Sequence, residues 1–204
     1  MKKLILATAV IFGVFYSAHS QTTHFGFKAG VNFASIGGED VDEFDGRTGF
    51  HAGILAEFMI TEQFGIQPEL LYSMQGAESE YSESGITEKG KIKLDYINIP
   101  LLAKYYVTPA LNFQLGPQLG FLINSEGEYE VSFQGETMSE TIDLDEEVKN
   151  IDFGISGGLG YKLNSGIFFN GRYTLGIIDI NEENEFDGDG NQNNVFQLSV
   201  GYMF

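Results

Sequence analysis

The sequence predicts an all-β protein: an eight-stranded antiparallel up-and-down transmembrane β-barrel of the outer-membrane type, preceded by a cleavable signal peptide. Three observations carry this. Eight segments alternate bulky apolar with small or polar residues. The connections between them alternate short and long. The acidic residues crowd into the long connections, leaving a nearly neutral body.

The first element is an export signal over residues 1–20, with the barrel domain following over 21–204. Lys2 and Lys3 precede an apolar run from Leu4 to Ala18, and Ala18-His19-Ser20 offers small residues to a signal peptidase that cuts before Gln21. That run is shorter than the roughly 20 residues a membrane-spanning helix needs, and no later segment is long and apolar enough either. A chain that enters a membrane without such a helix does so as strands. The absence of cysteine excludes disulfides, thiol catalysis, thiolate metal sites and lipid attachment at a cysteine.

The strands are expected at residues 24–34, 48–60, 64–76, 92–107, 111–123, 151–163, 166–178 and 194–204. In the first, Phe25, Phe27, Val31 and Phe33 share one face, and Gly26, Lys28, Gly30 and Asn32 the other. The second sets Phe50, Ile54 and Phe58 against His51, Gly53 and Glu57; the third carries Gly65, Gln67 and Glu69 on its polar face. The fifth sets Phe113, Leu115, Leu119 and Phe121 against Gln114, Gly116, Gln118 and Gly120. The sixth and seventh repeat the pattern, with Asp152, Gly154, Gly158, Gly160 and Lys162, then Arg172 and Gly176, on the small face. The eighth aligns Phe196, Leu198, Val200, Tyr202 and Phe204. Three prolines, Pro68, Pro100 and Pro117, fall inside strands of a sheet that has no free edge; bulges could accommodate them, but the sequence does not show that they do.

Residues 61–63, 108–110 and 164–165 are short turns, while 35–47, 77–91, 124–150 and 179–193 are expected as long loops. The long loops hold 24 of the 29 acidic residues, with only Arg47, Lys89, Lys91 and Lys149 as cations. Confining charge to one end suits a membrane-spanning body, since a charge on the lipid face at mid-bilayer costs roughly 2–4 kcal/mol. Aromatics form two expected belts, one near the short turns and one at Phe33, Phe50, Tyr72, Tyr96, Phe121, Phe153 and Phe196. Size decides which face is inside. An eight-stranded interior is just wide enough for side chains to fill, so the glycine-rich polar face points in and the bulky face meets lipid. A soluble ligand-binding barrel, with the apolar face inward, is the alternative and predicts a protein that fractionates without detergent.

The segment Leu94-Asp95-Tyr96-Ile97-Asn98-Ile99-Pro100-Leu101-Leu102-Ala103-Lys104-Tyr105 resembles the central motif of the PorT-like, porin-family outer-membrane β-barrel domain common in Bacteroidota. Phe27-Lys28-Ala29-Gly30-Val31-Asn32-Phe33 and Gly171-Arg172-Tyr173-Thr174-Leu175-Gly176 resemble its first and seventh strands. The resemblance spans residues 22–204 and implies an outer-membrane barrel of eight strands with little chemistry of its own. Proline at position 100 belongs to that motif.

Candidate functional residues follow from the inward face. Lys28, Glu57, Glu69, Lys104, Asp152, Lys162 and Arg172 all fall on it. Glu57 and Glu69 flank the turn at 61–63 and are expected close together, with Lys28 and Lys104 placed to separate their charges. We expect the cluster Lys28, Glu57, Glu69, Lys104 and Arg172 to fill the lumen with ion pairs; a narrow proton or ion path, or a catalytic carboxylate pair, is the alternative. A hydrolase needs a histidine beside a serine or carboxylate, and His51 is the only seed, unsupported by a Gly-x-Ser-x-Gly motif. Asp187-Gly188-Asp189-Gly190-Asn191 opens like a calcium loop, but Gln192 stands at the sharp-turn glycine and Leu198 at the bidentate glutamate. Asp187, Asp189 and Asn191 are therefore candidates only for weak surface Ca²⁺ or Mg²⁺; no cofactor is expected. Tyr202 and Phe204 are expected to serve as a membrane-assembly signal. The net charge of −18 excludes nucleic acid as a partner. Expected partners are outer-membrane lipid and lipopolysaccharide, the barrel-assembly machinery and other envelope proteins, around a monomer. The expected role is structural or surface-interacting, without enzymatic activity. A narrow pore or an accessory barrel of a transport or secretion system is the alternative.

Overall fold

A computed structural model describes residues 22–37, 45–83, 86–133, 136–144, 148–180 and 191–204. The signal segment and the candidate residues Asp187 and Asp189 lie outside the described residues. Among the described residues there are nine strands: β1 (Thr23–Gly37), β2 (Asp45–Met59), β3 (Phe64–Glu83), β4 (Ile86–Tyr106), β5 (Leu111–Phe133), β6 (Glu136–Asp143), β7 (Ile151–Lys162), β8 (Ile167–Gly176) and β9 (Gln192–Met203). Eight of them close a ring in the order β1-β2-β3-β4-β5-β7-β8-β9. The last strand joins the first antiparallel, from Gly26 opposite Met203 to Gly37 opposite Gln192. Every pairing is antiparallel. The all-β, eight-stranded up-and-down barrel read from the alternation is the fold.

Local chemistry sets the three tight turns. Thr61 accepts hydrogen bonds from the Gln63 and Phe64 backbone N–H at 3.2 and 3.0 Å, and Thr108 repeats this with Ala110 and Leu111 at 3.3 and 3.0 Å. The third turn needs Gly166, whose φ of 90° an L side chain rarely adopts.

Side chains alternate across the wall along each strand. On β1, Lys28, Asn32 and Ala34 are buried while Phe25, Phe27, Val31 and Phe33 are exposed. On β9, Gln197, Ser199 and Met203 are buried, with Phe196, Leu198, Val200 and Tyr202 exposed. Polar and charged side chains, with apolar ones at the two ends, therefore fill the inner face, and the greasy face looks out.

Three expectations are corrected. First, residues 77–91 and 124–150 are largely strand, not long loop. β3 and β4 run on as a hairpin to Glu83 and Ile86, β5 continues to Phe133, and β6 adds a further strand along β5. Reading charge as a loop signal misled here, because glutamates and lysines alternate with apolar residues in this stretch and pair across strands. Second, the loops 35–47 and 179–193 are shorter, since β1 reaches Gly37, β2 starts at Asp45 and β9 starts at Gln192. Third, Tyr96 is fully buried, not part of an outer aromatic belt. It shares parity with Asn98 and Lys104, so period two already assigns it to the inner face. The prolines, whose fit the sequence leaves open, make no bulges. The register stays constant past Pro68, Pro100 and Pro117, each of which interrupts one ladder. The register shifts fall elsewhere, between Gly46 and His51 and between Asp95 and Tyr96.

Candidate functional site

The buried polar residues concentrate inside the ring, and three layers follow from the side chains each strand delivers. At the short-turn end, Leu55, Phe168 and Met203 form an apolar cluster. Gly201 makes room for it, because a Cβ there would stand 2.3 Å from the Phe168 ring. Beside this cluster Lys104 Nζ lies 2.6 Å from Glu57, whose carboxylate also accepts the Tyr106 hydroxyl at 2.5 Å. Lys162 Nζ stands 4.0 Å from Glu57, and both ammonium groups sit over the Tyr106 ring, at 5.2 and 5.9 Å.

One rung further in, Glu69 takes two cations. Arg172 grips it with two parallel bonds of 2.9 and 2.8 Å, and Lys28 Nζ lies 2.7 Å away. Gln67 joins the two centres, donating to Glu69 at 2.6 Å and accepting from Lys104 at 2.9 Å. Arg172 also donates to Gln114 at 3.0 Å. Lys28, Glu57, Glu69, Lys104 and Arg172 are each at most 4% exposed. Glu57 and Glu69 are not opposite one another: β2 and β3 pair Leu55 with Glu69, so the two acids are staggered and each has its own cations. Symmetric spacing about the turn placed them on one face; only the register separated their partners.

Above this lies a neutral layer built on His51. Its Nδ1 stands 2.7 Å from Asn32 Oδ1 and its Nε2 2.7 Å from Ser199 Oγ. Asn32 uses its amide N–H groups on Ser73 Oγ and the Met74 carbonyl, both at 2.9 Å, so its oxygen faces the ring. This network assigns the proton to Nδ1, and Ser199 donates to Nε2. The direction is that of a nucleophile, a base and an orienting amide. All three residues are buried, at 8% exposure or less, and Gly30 packs against the imidazole, since a Cβ there would lie 2.8 Å from its Cε1. Sequence reasoning found His51 but missed Ser199 and Asn32, although both share the inward parity of their strands.

At the long-loop end Asn193 donates to Gln75 at 2.5 Å and to Asp152 at 3.4 Å, and Arg47 donates to the Gln75 carbonyl. Over them Ile36, Ala77, Leu94, Tyr96, Val148 and Ile180 form a second apolar cluster. Asn191 lies just before β9, where its carbonyl accepts from the Ile180 N–H at 2.9 Å. No group of His, Asp or Glu side chains able to hold a metal occurs among the described residues. Tyr202 and Phe204 lie outside, their rings 5.3 Å apart and joined by Phe27 at 6.4 and 6.1 Å.

Antiparallel strands closed into a ring, polar within and apolar without, define a membrane β-barrel. The chain belongs to the outer membrane protein beta-barrel domain family, whose model matches residues 17–182. It is an integral outer-membrane protein. Among solved structures it is similar to Ail, the attachment invasion locus protein of Yersinia pestis, at 12% identity and a TM-score of 0.50, covering 89% of this chain and 98% of that one. Neisserial surface protein A matches at 15% identity and a TM-score of 0.49, over 88% and 97% of the two chains. OprG from Pseudomonas aeruginosa matches at 15% and 0.42, over 90% and 97%. At such identities the Ail likeness speaks of fold alone. No curated protein sequence matches.

Proposed function

We propose that this is a structural and surface-interacting barrel whose lumen is plugged, with acidic segments presented outside the cell. The observation that carries the reading is the stack inside the ring: an apolar cluster at each end and, between them, the Glu69–Arg172–Lys28 centre. A pore needs a continuous wet path, and eight strands leave an interior that side chains can fill. The protein is exported by a signal peptide over residues 1–20, with long connections extracellular and both mature termini periplasmic. It acts as a monomer of the PorT-like, Bacteroidota type, without enzymatic activity. Tyr202 and Phe204 serve the barrel-assembly machinery as well as anchoring in lipid. Asp187, Asp189 and Asn191 contribute at most weak Ca²⁺ or Mg²⁺ binding, bridging to lipopolysaccharide phosphates. Planar-bilayer recording of the refolded protein tests the central point. No current steps above the lipid baseline are expected, whereas stable single-channel steps would replace this reading with the pore.

A further inference from the structure

Above the ring, β3, β4, β5 and β6 form one antiparallel four-stranded sheet over residues 76–83, 86–93, 126–133 and 136–143. The register sorts its two faces. One row runs Glu80, Lys89, Glu130 and Ser139, and the next Glu78, Lys91, Glu128 and Thr141. Lys89 meets Glu80 at 3.3 Å, Lys91 meets Glu78 at 3.7 Å, and Lys93 pairs with Glu128. On this, the ladder face, each lysine is paired with a carboxylate of a neighbouring strand.

The opposite face is different. Its rows are Tyr81, Glu88, Val131 and Met138, and Glu83, Ile86, Phe133 and Glu136. Tyr129 stands beside Gly90 in the row that ends on Glu140. Its apolar side chains are open to solvent, Met138 to 79%. All three lysines of the sheet point to the ladder face, so Glu83, Glu88, Glu136 and Glu140 share their face with no lysine or arginine. A shallow depression against the sheet is bordered by Tyr81, Glu88, Tyr129 and Val131, with Lys89 and Glu130 of the ladder face also in its lining. Among the described residues β6 pairs with β5 alone, so its other edge presents unpaired main-chain groups over Glu136–Ile142.

We propose that this acidic, apolar face takes an extended basic and apolar peptide as a fifth strand along the open edge of β6. Strand addition supplies main-chain hydrogen bonds, and alternate side chains supply selectivity. On β6 the exposed face reads Glu136, Met138, Glu140, Ile142. A matching strand places basic and apolar side chains in turn opposite these and short polar ones opposite Thr137, Ser139 and Thr141. A second copy does not fit the edge. Two barrels in one membrane run β6 in the same direction, whereas antiparallel addition needs opposed directions, and carboxylates would crowd the seam. The proposal rests on the reading that this end of the barrel faces outward.

The test uses the full chain refolded in phosphatidylcholine nanodiscs and a labelled nine-residue peptide of lysine, threonine and valine. Lysine and valine alternate on one face of the peptide and threonine fills the other; a block-ordered peptide of the same composition is the control. Fluorescence anisotropy should show saturable binding, at least tenfold tighter than the control. The pair Glu136→Lys with Glu140→Lys should weaken it at least tenfold, as should Ser139→Pro, while Glu130→Lys on the ladder face should change it less than twofold. Circular dichroism checks that each variant folds, and the charge variants carry the test should Ser139→Pro not fold. Absence of saturable binding, equal affinity for the control peptide, or equal loss in Glu130→Lys would overturn the proposal. Orientation is read separately by labelling Thr137→Cys in intact cells with an impermeant maleimide. Failure to label would sink the outward reading while leaving the nanodisc result to judge the docking face.

Discussion

Glu69 shows how much a single buried side chain decides, at 3% exposure inside the ring. Its carboxylate pairs with Arg172 and Lys28 at once, at 2.8 and 2.7 Å. Glu69→Ala strands two buried cations, and removing one partner of a buried ion pair costs about 3–5 kcal/mol. Urea titration of refolding into lipid bilayers should show a loss of that size; an unchanged midpoint would mean the network is not holding the barrel. The His51 layer is different in kind, since it is neutral and each group has its match. Ser199→Ala leaves Nε2 of His51 without its donor, at a cost of about 1–3 kcal/mol. Because Ser199 is only 8% exposed beneath that ring, a fluorophosphonate should leave it unmodified in the folded protein. Covalent labelling of Ser199 would convert a structural hydrogen-bond chain into a nucleophilic one.

At the scale of elements, the sheet above the ring is held by pairs across strands. The Lys93 ammonium bonded to Glu128 holds that carboxyl below its ordinary range. A depressed acid stabilises the folded state above its unfolded value, near 4.5, and the contribution is lost as pH falls through the lower folded value. The group is substantially solvated, so the effect stays under about 1 kcal/mol. Hydrogen exchange of amides in Glu126–Phe133, corrected for intrinsic rates, should therefore be less protected at pH 3 than at pH 6. Lys93→Met should flatten that difference; an unchanged pH response in the variant would assign it to other carboxylates. On the outer wall, Tyr202 and Phe204 form an aromatic cluster with Phe27 across the β9–β1 seam. Replacing both by Ala should reduce outer-membrane insertion several-fold in cell fractionation before the isolated barrel loses stability. Normal membrane levels would end their role as an assembly signal.

For the whole molecule, period two along each strand and the volume limit of an eight-stranded interior were enough to choose the fold. They were also enough to turn Lys28, Glu69 and Arg172 inward, because each of these is a local property of one strand. The same rule was enough for Tyr96, which reads correctly once its parity is matched to Lys104. Partnership is another matter. Arg172 and Glu69 are 103 positions apart and meet only because β3 and β8 face each other across the closed ring. The link from His51 to Ser199 crosses 148 positions because ring closure sets β2 and β9 on either side of β1. Neither does alternation reveal where strands stop: Glu78, Glu80, Lys89 and Lys91 look like solvated loop until cross-strand pairing turns them into the charged face of a sheet. Facing and periodicity are written in neighbouring residues. Register, ring closure and the extent of pairing depend on contacts between distant strands, and only the folded chain supplies them.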